Sequence, residues 1–196
     1  MLTALCAAML WLTPSPVPAG GDGQVFLTKQ EALTLAFGKA EVKRQSHYLT
    51  KKQIKQIKKL SEVDLPCKVL HAYSARDPQG KLLGTAYFDT HKVRTLPETL
   101  MILVDPQGKV KRLEILVFRE PKDYIPSGRW YQQFIGRKLD KELHLKQEIR
   151  GMTGATLTAR ATTAAVRRVL AAHQVLYPLP KKTSKGATKK PVASSS

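Results

Sequence analysis

The chain has 196 residues and a formal net charge of +18, from 33 Lys and Arg against 15 Asp and Glu. This length suits one domain with tails and leaves no room for two full domains. Two cysteines exclude a disulfide framework, and neither a haem-attachment motif nor Cys and His at metal-ligand spacing is present. The charge favours an anionic partner without choosing among phosphate, an acidic protein face, anionic lipid and nucleic acid.

The N-terminus begins with an apolar stretch that is too short to span a membrane. This stretch, residues 2–12, is followed by Pro-rich sequence and by small residues up to Ala19. A spanning helix needs about 20 residues, so the pattern predicts a signal peptide over residues 1–19 and a periplasmic or extracytoplasmic protein. A buried N-terminal helix is the alternative, because no Lys or Arg precedes the apolar stretch.

Two helices are predicted in the first third of the chain, each from a capping box. Thr28 with Glu31 opens the first helix, and Thr50 with Gln53 opens the second. Residues 41–49 between them have strand character. The second helix is rich in lysine, but no aromatic residues interleave with its lysines to stack bases. A solvated helix surface is therefore favoured over a nucleic-acid interface.

The middle of the chain predicts two β-hairpins. Residues 67–75 and 81–88 flank an Asp-Pro-Gln-Gly turn, and residues 99–104 and 109–118 flank a second copy of it. Helices are predicted on either side, one of them around Trp130 and Phe134. The fold class is therefore α+β, with a bent antiparallel sheet of hairpins flanked by helices.

The ten residues between the hairpins, 89–98, are interpreted as a connection. His91, Lys92 and Arg94 place three cationic or titratable groups within four positions, where a turn would present them to a cofactor or an acidic partner. A lone His at a strand end is usually a surface or capping residue. No Ser or Cys nucleophile accompanies it, so no catalytic residue is assigned.

Residues 151–158 read Gly-Met-Thr-Gly-Ala-Thr-Leu-Thr and lead into a helix-forming segment. The first N–H groups of a helix have no partner in the helix itself and attract anions. Arg160, Arg167 and Arg168 add positive charge, and the small Gly154 and Ala155 leave the hydroxyl of the next threonine accessible. The segment therefore predicts an anion site, although many threonine-rich turns act only as helix caps.

This segment resembles the flavinylation motif of the FMN-binding domain family, which includes the C subunit of sodium-pumping NADH:quinone reductase and the G subunit of the Rnf electron-transport complex. The family pattern is Asp, two residues, Ser or Thr, Gly, Ala, Thr. The resemblance extends over about 96–176, through the second hairpin, Glu120-Pro121 and Phe134-Ile135-Gly136. Arg150 stands where the family has its acid.

The resemblance implies that FMN is the cofactor and that its phosphate is esterified to Thr156. Thr153 and Thr158 are expected to donate hydrogen bonds, and Glu120 is expected to lie near the flavin. The cofactor-binding residues implied by the resemblance are Thr153, Gly154, Ala155, Thr156, Leu157, Thr158 and Glu120, and no metal ligand is assigned.

The function expected from these observations is electron transfer rather than stand-alone catalysis. The expected partners are a flavin transferase, redox partners such as cytochromes or membrane electron-transport subunits, and an anionic membrane surface; nucleic acid is not expected. The alternatives are a basic module that binds nucleic acid or anionic lipid, and a flavin-dependent regulatory subunit. After the signal peptide, the predicted divisions are an N-terminal part at 24–95, an FMN-binding core at 96–177 and a disordered basic tail at 178–196.

Overall fold

A computed structural model describes residues 24–179 of the protein. One six-stranded antiparallel sheet forms the centre of this part. The predicted signal peptide, 1–19, and all but the first two residues of the predicted tail, 178–196, lie outside the described residues. The sheet order is β1-β6-β5-β4-β3-β2. The strands are β1 Gln24–Val25, β2 Val42–Tyr48, β3 Val69–Arg76, β4 Leu82–Lys92, β5 Pro97–Val104 and β6 Val110–Phe118.

Four helices complete the described fold: α1 Lys29–Phe37, α2 Lys51–Ser61, α3 Gly128–Tyr131 and α4 Thr156–Leu176. A 3₁₀ turn at Lys122–Tyr124 precedes α3, and a second one, Gln132–Phe134, follows it. The antiparallel sheet with helices confirms the α+β class. None of the helices within residues 24–179 has the length and apolar character needed to cross a membrane.

Both predicted capping boxes are present. The N–H of Glu31 donates to Thr28 Oγ1 at 3.2 Å, and the N–H of Thr28 donates to the Glu31 carboxylate at 2.8 Å. Thr50 and Gln53 make the same reciprocal pair, at 3.2 and 2.9 Å. These bonds satisfy N–H groups that the first turns of α1 and α2 would otherwise leave free, so both helices begin where the sequence predicts.

The two predicted hairpins are confirmed, but the interpretation of residues 89–98 as a connection is wrong for most of that segment. Strand β4 continues to Lys92 and β5 already begins at Pro97, with His91 paired to Glu98 in register. Only residues 93–96 connect the two strands. The pairing of β4 with β5 depends on contacts between the two strands. The charged residues and the proline of the local sequence do not predict these contacts.

The sheet is covered by helices on both faces. Helix α1 packs Leu33 and Phe37 against one face, beside Tyr73 and Met101. The long helix α4 covers the other face with α3, and its buried residues meet Leu100, Ile102 and Val104. Helix α2 packs beside the second half of α4, where Ile57 meets Ala171 and Ala172. This arrangement holds the first turn of α4 at the same end of the sheet as residues 93–96.

Gly84 on β4 provides a test of the packing. It has φ +151°, and a Cβ added there would lie 2.8 Å from the carbonyl oxygen of Val104. We expect Gly84→Ala to lower the free energy of unfolding by about 1–3 kcal/mol, because the backbone and its neighbour strand must move apart. Gly128→Ala is the control, since nothing lies within 4 Å of its Cβ position. Urea unfolding checks both, and equal stability of the two variants would contradict this account.

Candidate functional site

A cavity of about 190 Å³ opens where the first turn of α4 meets the β4–β5 connection. The connection contributes Val93 and Arg94, and the 3₁₀ turn before α3 contributes Tyr124. The remaining wall is the predicted motif itself. Its lining residues are Gly154, Ala155, Thr156, Leu157 and Thr158.

Thr156 is the first residue of α4, and Ala155 is its N-cap. The Thr156 side chain is exposed, and its hydroxyl donates one hydrogen bond, to the carbonyl of Met152 at 3.2 Å. None of the hydrogen bonds among residues 24–179 uses the N–H groups of Thr156, Leu157 or Thr158. An accessible hydroxyl and three unpartnered N–H groups at a helix N-terminus therefore share one cavity, which suits a phosphate.

The turn before α4 depends on a glycine. Gly154 has φ +83°, in the left-handed region that other residues rarely adopt, and nothing lies within 4 Å of its Cβ position. The constraint is therefore conformational and not steric. This turn lets the N–H of Ala155 bond the carbonyl of Met152 at 3.2 Å and directs the chain into the helix.

Thr158 has a structural partner of its own. Its side chain is fully buried, and its hydroxyl donates to the carbonyl of Tyr124 at 2.6 Å. This bond joins the first turn of α4 to the 3₁₀ turn across the cavity. The Thr158 hydroxyl proton is thus already committed, so the side chain holds two walls of the cavity together.

Glu120 anchors the third wall. Its buried carboxylate accepts hydrogen bonds from the N–H groups of Arg94, Thr95 and Leu96, at 3.2, 2.7 and 2.8 Å. The N–H donors of Leu96 and Thr95 hold the pKa of Glu120 below its usual value, so the carboxylate is charged at neutral pH. Glu120 is not among the cavity-lining residues and acts on the cavity by fixing the connection.

A buried chain of charged groups joins the ends of β4 and β5, on either side of the connection, to α4. Arg168 donates to both oxygens of Asp89, at 2.9 and 2.6 Å. His91 lies between two carboxylates, with Nδ1 2.9 Å from Asp89 and Nε2 3.0 Å from Glu98. Thr162, four residues after Thr158, donates to the same oxygen of Glu98 at 3.2 Å. Alternating charges compensate one another inside the protein, which limits the cost of burying them.

His91 is charged at neutral pH because of these contacts. Burial alone would lower its pKa, but the hydrogen bonds to Asp89 and Glu98 raise the pKa of His91 to about 9. Burial likewise opposes ionisation of Asp89, yet bonds from His91 and Arg168 hold the pKa of Asp89 below its usual value. The interpretation of His91 as a surface or capping residue is therefore wrong: its side chain is only 10% exposed.

The structure brings most of the predicted cofactor residues to one cavity. Gly154, Ala155, Thr156, Leu157 and Thr158 line it, whereas Thr153 is exposed and Glu120 lies behind the connection. Their roles toward a cofactor stay predictions.

Sequence reasoning missed Val93 and Tyr124. Arg94 was expected only as part of a cationic turn. Tyr124 could be noticed in the sequence only because it follows Glu120-Pro121 closely. That position does not predict a contact with α4.

Arg150 lies beside the motif, with an exposed side chain and a fixed backbone. Its carbonyl accepts from Trp130 Nε1 at 2.7 Å, and its N–H donates to Gln133 Oε1 at 2.9 Å. Arg150 and Arg129 line a neighbouring cavity of about 360 Å³ together with Gly151 and Met152. The residue that departs from the family pattern therefore faces solvent next to the candidate site.

Comparison with known proteins agrees with this geometry. Residues 96–171 match the family model of the FMN-binding domain. The match begins in the β4–β5 connection and includes β5, β6, the motif and three quarters of α4. The match supports an FMN-binding domain in this part of the chain, with FMN as its cofactor. No curated protein matches the chain.

The residues at the cavity fit FMN chemically. Unpartnered N–H groups and Arg94 suit its phosphate, while Val93, Leu157 and Tyr124 offer apolar and aromatic contacts for a ring system. The volume of about 190 Å³ is smaller than the roughly 300–1,000 Å³ of pockets that enclose a ligand of drug size. The cavity therefore accommodates part of such a cofactor and leaves part of it exposed.

The charge of His91 makes a testable contribution to stability. Its folded-state pKa of about 9 lies above the usual value of 6.5 for a histidine. The contribution is therefore fully present below about pH 6.5 and is lost as pH rises through about 9. It amounts to a few kcal/mol, on the order of 3. Urea unfolding from pH 6 to 10 should show the stability difference between wild type and His91→Gln shrinking over this range. A difference independent of pH would contradict the charged state of His91.

Glu120 should control the order of the β4–β5 connection. Glu120→Gln keeps the side-chain shape but removes the charge that three N–H groups share, so the amides of Thr95 and Leu96 should exchange with solvent roughly tenfold faster. Hydrogen exchange measures this directly. Glu114→Gln is the matched control, because Glu114 pairs with Arg112 on the same strand, at 3.1 Å, and does not contact the connection through a hydrogen bond within residues 24–179. Unchanged exchange in Glu120→Gln would show that the carboxylate does not hold the connection.

Proposed function

We propose that this protein is an extracytoplasmic electron-transfer flavoprotein that carries FMN joined through its phosphate to Thr156. The observation that carries the proposal is the position of the Thr156 hydroxyl. It is exposed, lies at the first position of α4 and lines a cavity beside unpartnered N–H groups. These are the properties that an acceptor hydroxyl needs if another enzyme is to attach a phosphate to it.

The electrostatics of the site favour an attached phosphate. A phosphodiester carries a charge of about −1, which the positive end of a helix stabilises. Arg94 lines the cavity, and Arg160 follows Thr156 by one helical turn, so both supply further positive charge. Attachment would replace only the hydrogen bond from Thr156 to the Met152 carbonyl, and the other contacts that form the cavity would remain.

The cavity lining supports a carrier over a stand-alone enzyme. Its eight lining residues, 93–94, 124 and 154–158, include no carboxylate, His or Cys that would serve as an acid, base or nucleophile. When bound, FMN supplies the redox chemistry, since the flavin takes up two electrons and releases them singly. The protein would supply attachment, orientation and an exposed edge through which electrons pass.

The location and partners follow from the N-terminal sequence and the motif. The apolar segment of residues 2–12, followed by small residues up to Ala19, supports export to the periplasm or another extracytoplasmic space. A flavin transferase there would attach FMN, and cytochromes or membrane electron-transport subunits would exchange electrons with it. The net charge of +18 supports association with an anionic membrane surface.

Covalent attachment can be tested on Thr156 by comparing two substitutions. Co-expression with a flavin transferase should add about 440 Da to the peptide that contains Thr156, the mass of FMN less water. Thr156→Ala should abolish yellow colour that resists denaturant, and Thr156→Ser should retain part of it because serine keeps the hydroxyl.

Thr34→Ala is the matched control. It removes an exposed threonine hydroxyl that, like that of Thr156, bonds the carbonyl four residues earlier, but on α1 and not in the cavity lining. Mass spectrometry of the digested proteins locates the flavin in all four. Attachment at another residue, or equal covalent flavin in wild type and Thr156→Ala, would overturn the assignment.

A further inference from the structure

Several exposed cations lie close in sequence to the residues that line the cavity, or line the cavity next to it. Lys122 lies in the 3₁₀ turn that carries Tyr124, Arg129 and Arg150 line the neighbouring cavity, and Arg160 lies one turn after Thr156. Leu157 lines the cavity itself and is 47% exposed. We call this set the mouth surface. It consists of Lys122, Arg129, Arg150, Leu157 and Arg160.

The four cations of the mouth surface are not neutralised by neighbouring acids. None of them forms an ion pair with another of residues 24–179, whereas Lys58, Arg112 and Arg137 each pair with an acid elsewhere. Asp123, the acid adjacent to Lys122, is exposed and likewise forms no ion pair within the described part. The positive potential at the cavity entrance is therefore available to an approaching partner.

The mouth surface also has the composition of a protein–protein interface. It combines an exposed leucine of the cavity lining with four exposed cations, three of which are arginines. Transient interfaces combine an apolar centre with a polar rim, and arginine is enriched in them. Free phosphate or lipid headgroups would use the cations but would have no need of an apolar centre at the cavity.

We propose that the mouth surface docks the acidic face of an electron-transfer protein, whose own redox centre is thereby brought close to the exposed part of the flavin. This inference rests on the proposed function and adds to it the site and the charge of the partner. In each exchange one centre loses one electron and the other gains it, and no covalent bond is made or broken. Electrostatic attraction of this kind chiefly accelerates encounter and sets orientation.

A second basic surface lies too far away for this role and serves as an internal control. Helix α2 exposes Lys51, Lys52, Lys55, Lys58 and Lys59. It packs against α4 at Ala171 and Ala172, and Ala171 is 15 residues beyond Thr156, or about 22 Å along the helix. A partner bound to α2 would not cover the cavity.

The test compares two triple charge reversals of equal size. The first is Arg129→Glu, Arg150→Glu and Arg160→Glu, and the second is Lys51→Glu, Lys55→Glu and Lys59→Glu. Stopped-flow absorbance follows the reduction of each flavin-loaded protein by a reduced, acidic [2Fe–2S] ferredoxin at several salt concentrations. We expect the wild-type rate constant to fall with salt, the first variant to be at least tenfold slower at low salt, and the second to stay within about threefold of wild type.

Two measurements, flavin content and ferredoxin binding, distinguish a failure of this inference from a failure of the proposed function. Covalent flavin per protein is measured first, and calorimetry records binding of oxidised ferredoxin to the same samples. A wild-type protein that takes up no FMN would refute the proposed function, and binding would still decide whether the mouth surface docks an acidic protein.

Two further outcomes bear on the docking surface alone. If the first triple variant binds less flavin, the double reversal Lys122→Glu and Arg129→Glu, which leaves the motif and Arg150 intact, replaces it. If the α2 variant loses as much rate and binding as the first variant, net charge explains the association and the proposal is overturned. If binding and rates do not depend on salt, apolar contact explains the association and the proposal is likewise overturned.

Discussion

The cavity exists because buried polar bonds hold α4 against the end of the sheet and the turn beside it. Arg168 binds both oxygens of Asp89 on β4, Thr162 binds Glu98 on β5, and Thr158 binds the carbonyl of Tyr124. All four bonds come from α4, at positions 158, 162 and 168. Apolar packing alone would allow the helix to slide along the sheet, whereas directional bonds at three positions fix where its N-terminus lies.

Charge compensation explains why such a polar connection can be buried. Arg168 and charged His91 balance Asp89 and Glu98, so four charges leave the protein interior nearly neutral. Removing one member would leave an unpaired charge at high cost, while the intact set costs much less. Because the charges of this network compensate one another, the positive potential at the cavity comes from other groups. These are the α4 N-terminus, Arg94 and the cations of the mouth surface.

Local sequence predicted the features that depend on local bonding. The capping boxes at Thr28 and Thr50 and the Asp-Pro-Gln-Gly turns act within four residues, and each was located correctly. The motif from Gly154 to Thr158 was found for the same reason, since a turn and a helix N-terminus are local structures. The pairing of His91 with Glu98 and the contact of Tyr124 with Thr158 connect residues across hairpins and helices. No pattern of spacing contains that information, so the strand through residues 89–92 and the burial of His91 emerged only from the fold.

The small cavity would give a physical reason for the proposed covalent attachment of the cofactor. About 190 Å³ accommodates only part of a flavin nucleotide, so burial contributes little of the affinity that a fully enclosed cofactor gains. An exposed flavin edge, which the proposed electron transfer needs, would therefore also weaken non-covalent retention. A phosphoester at Thr156 would separate the two requirements, because the bond retains the cofactor while the exposed part stays accessible. The unpartnered N–H groups of Thr156, Leu157 and Thr158 would then orient the phosphate, and the fixed connection at residues 93–96 would limit the positions that the rest of the cofactor can adopt.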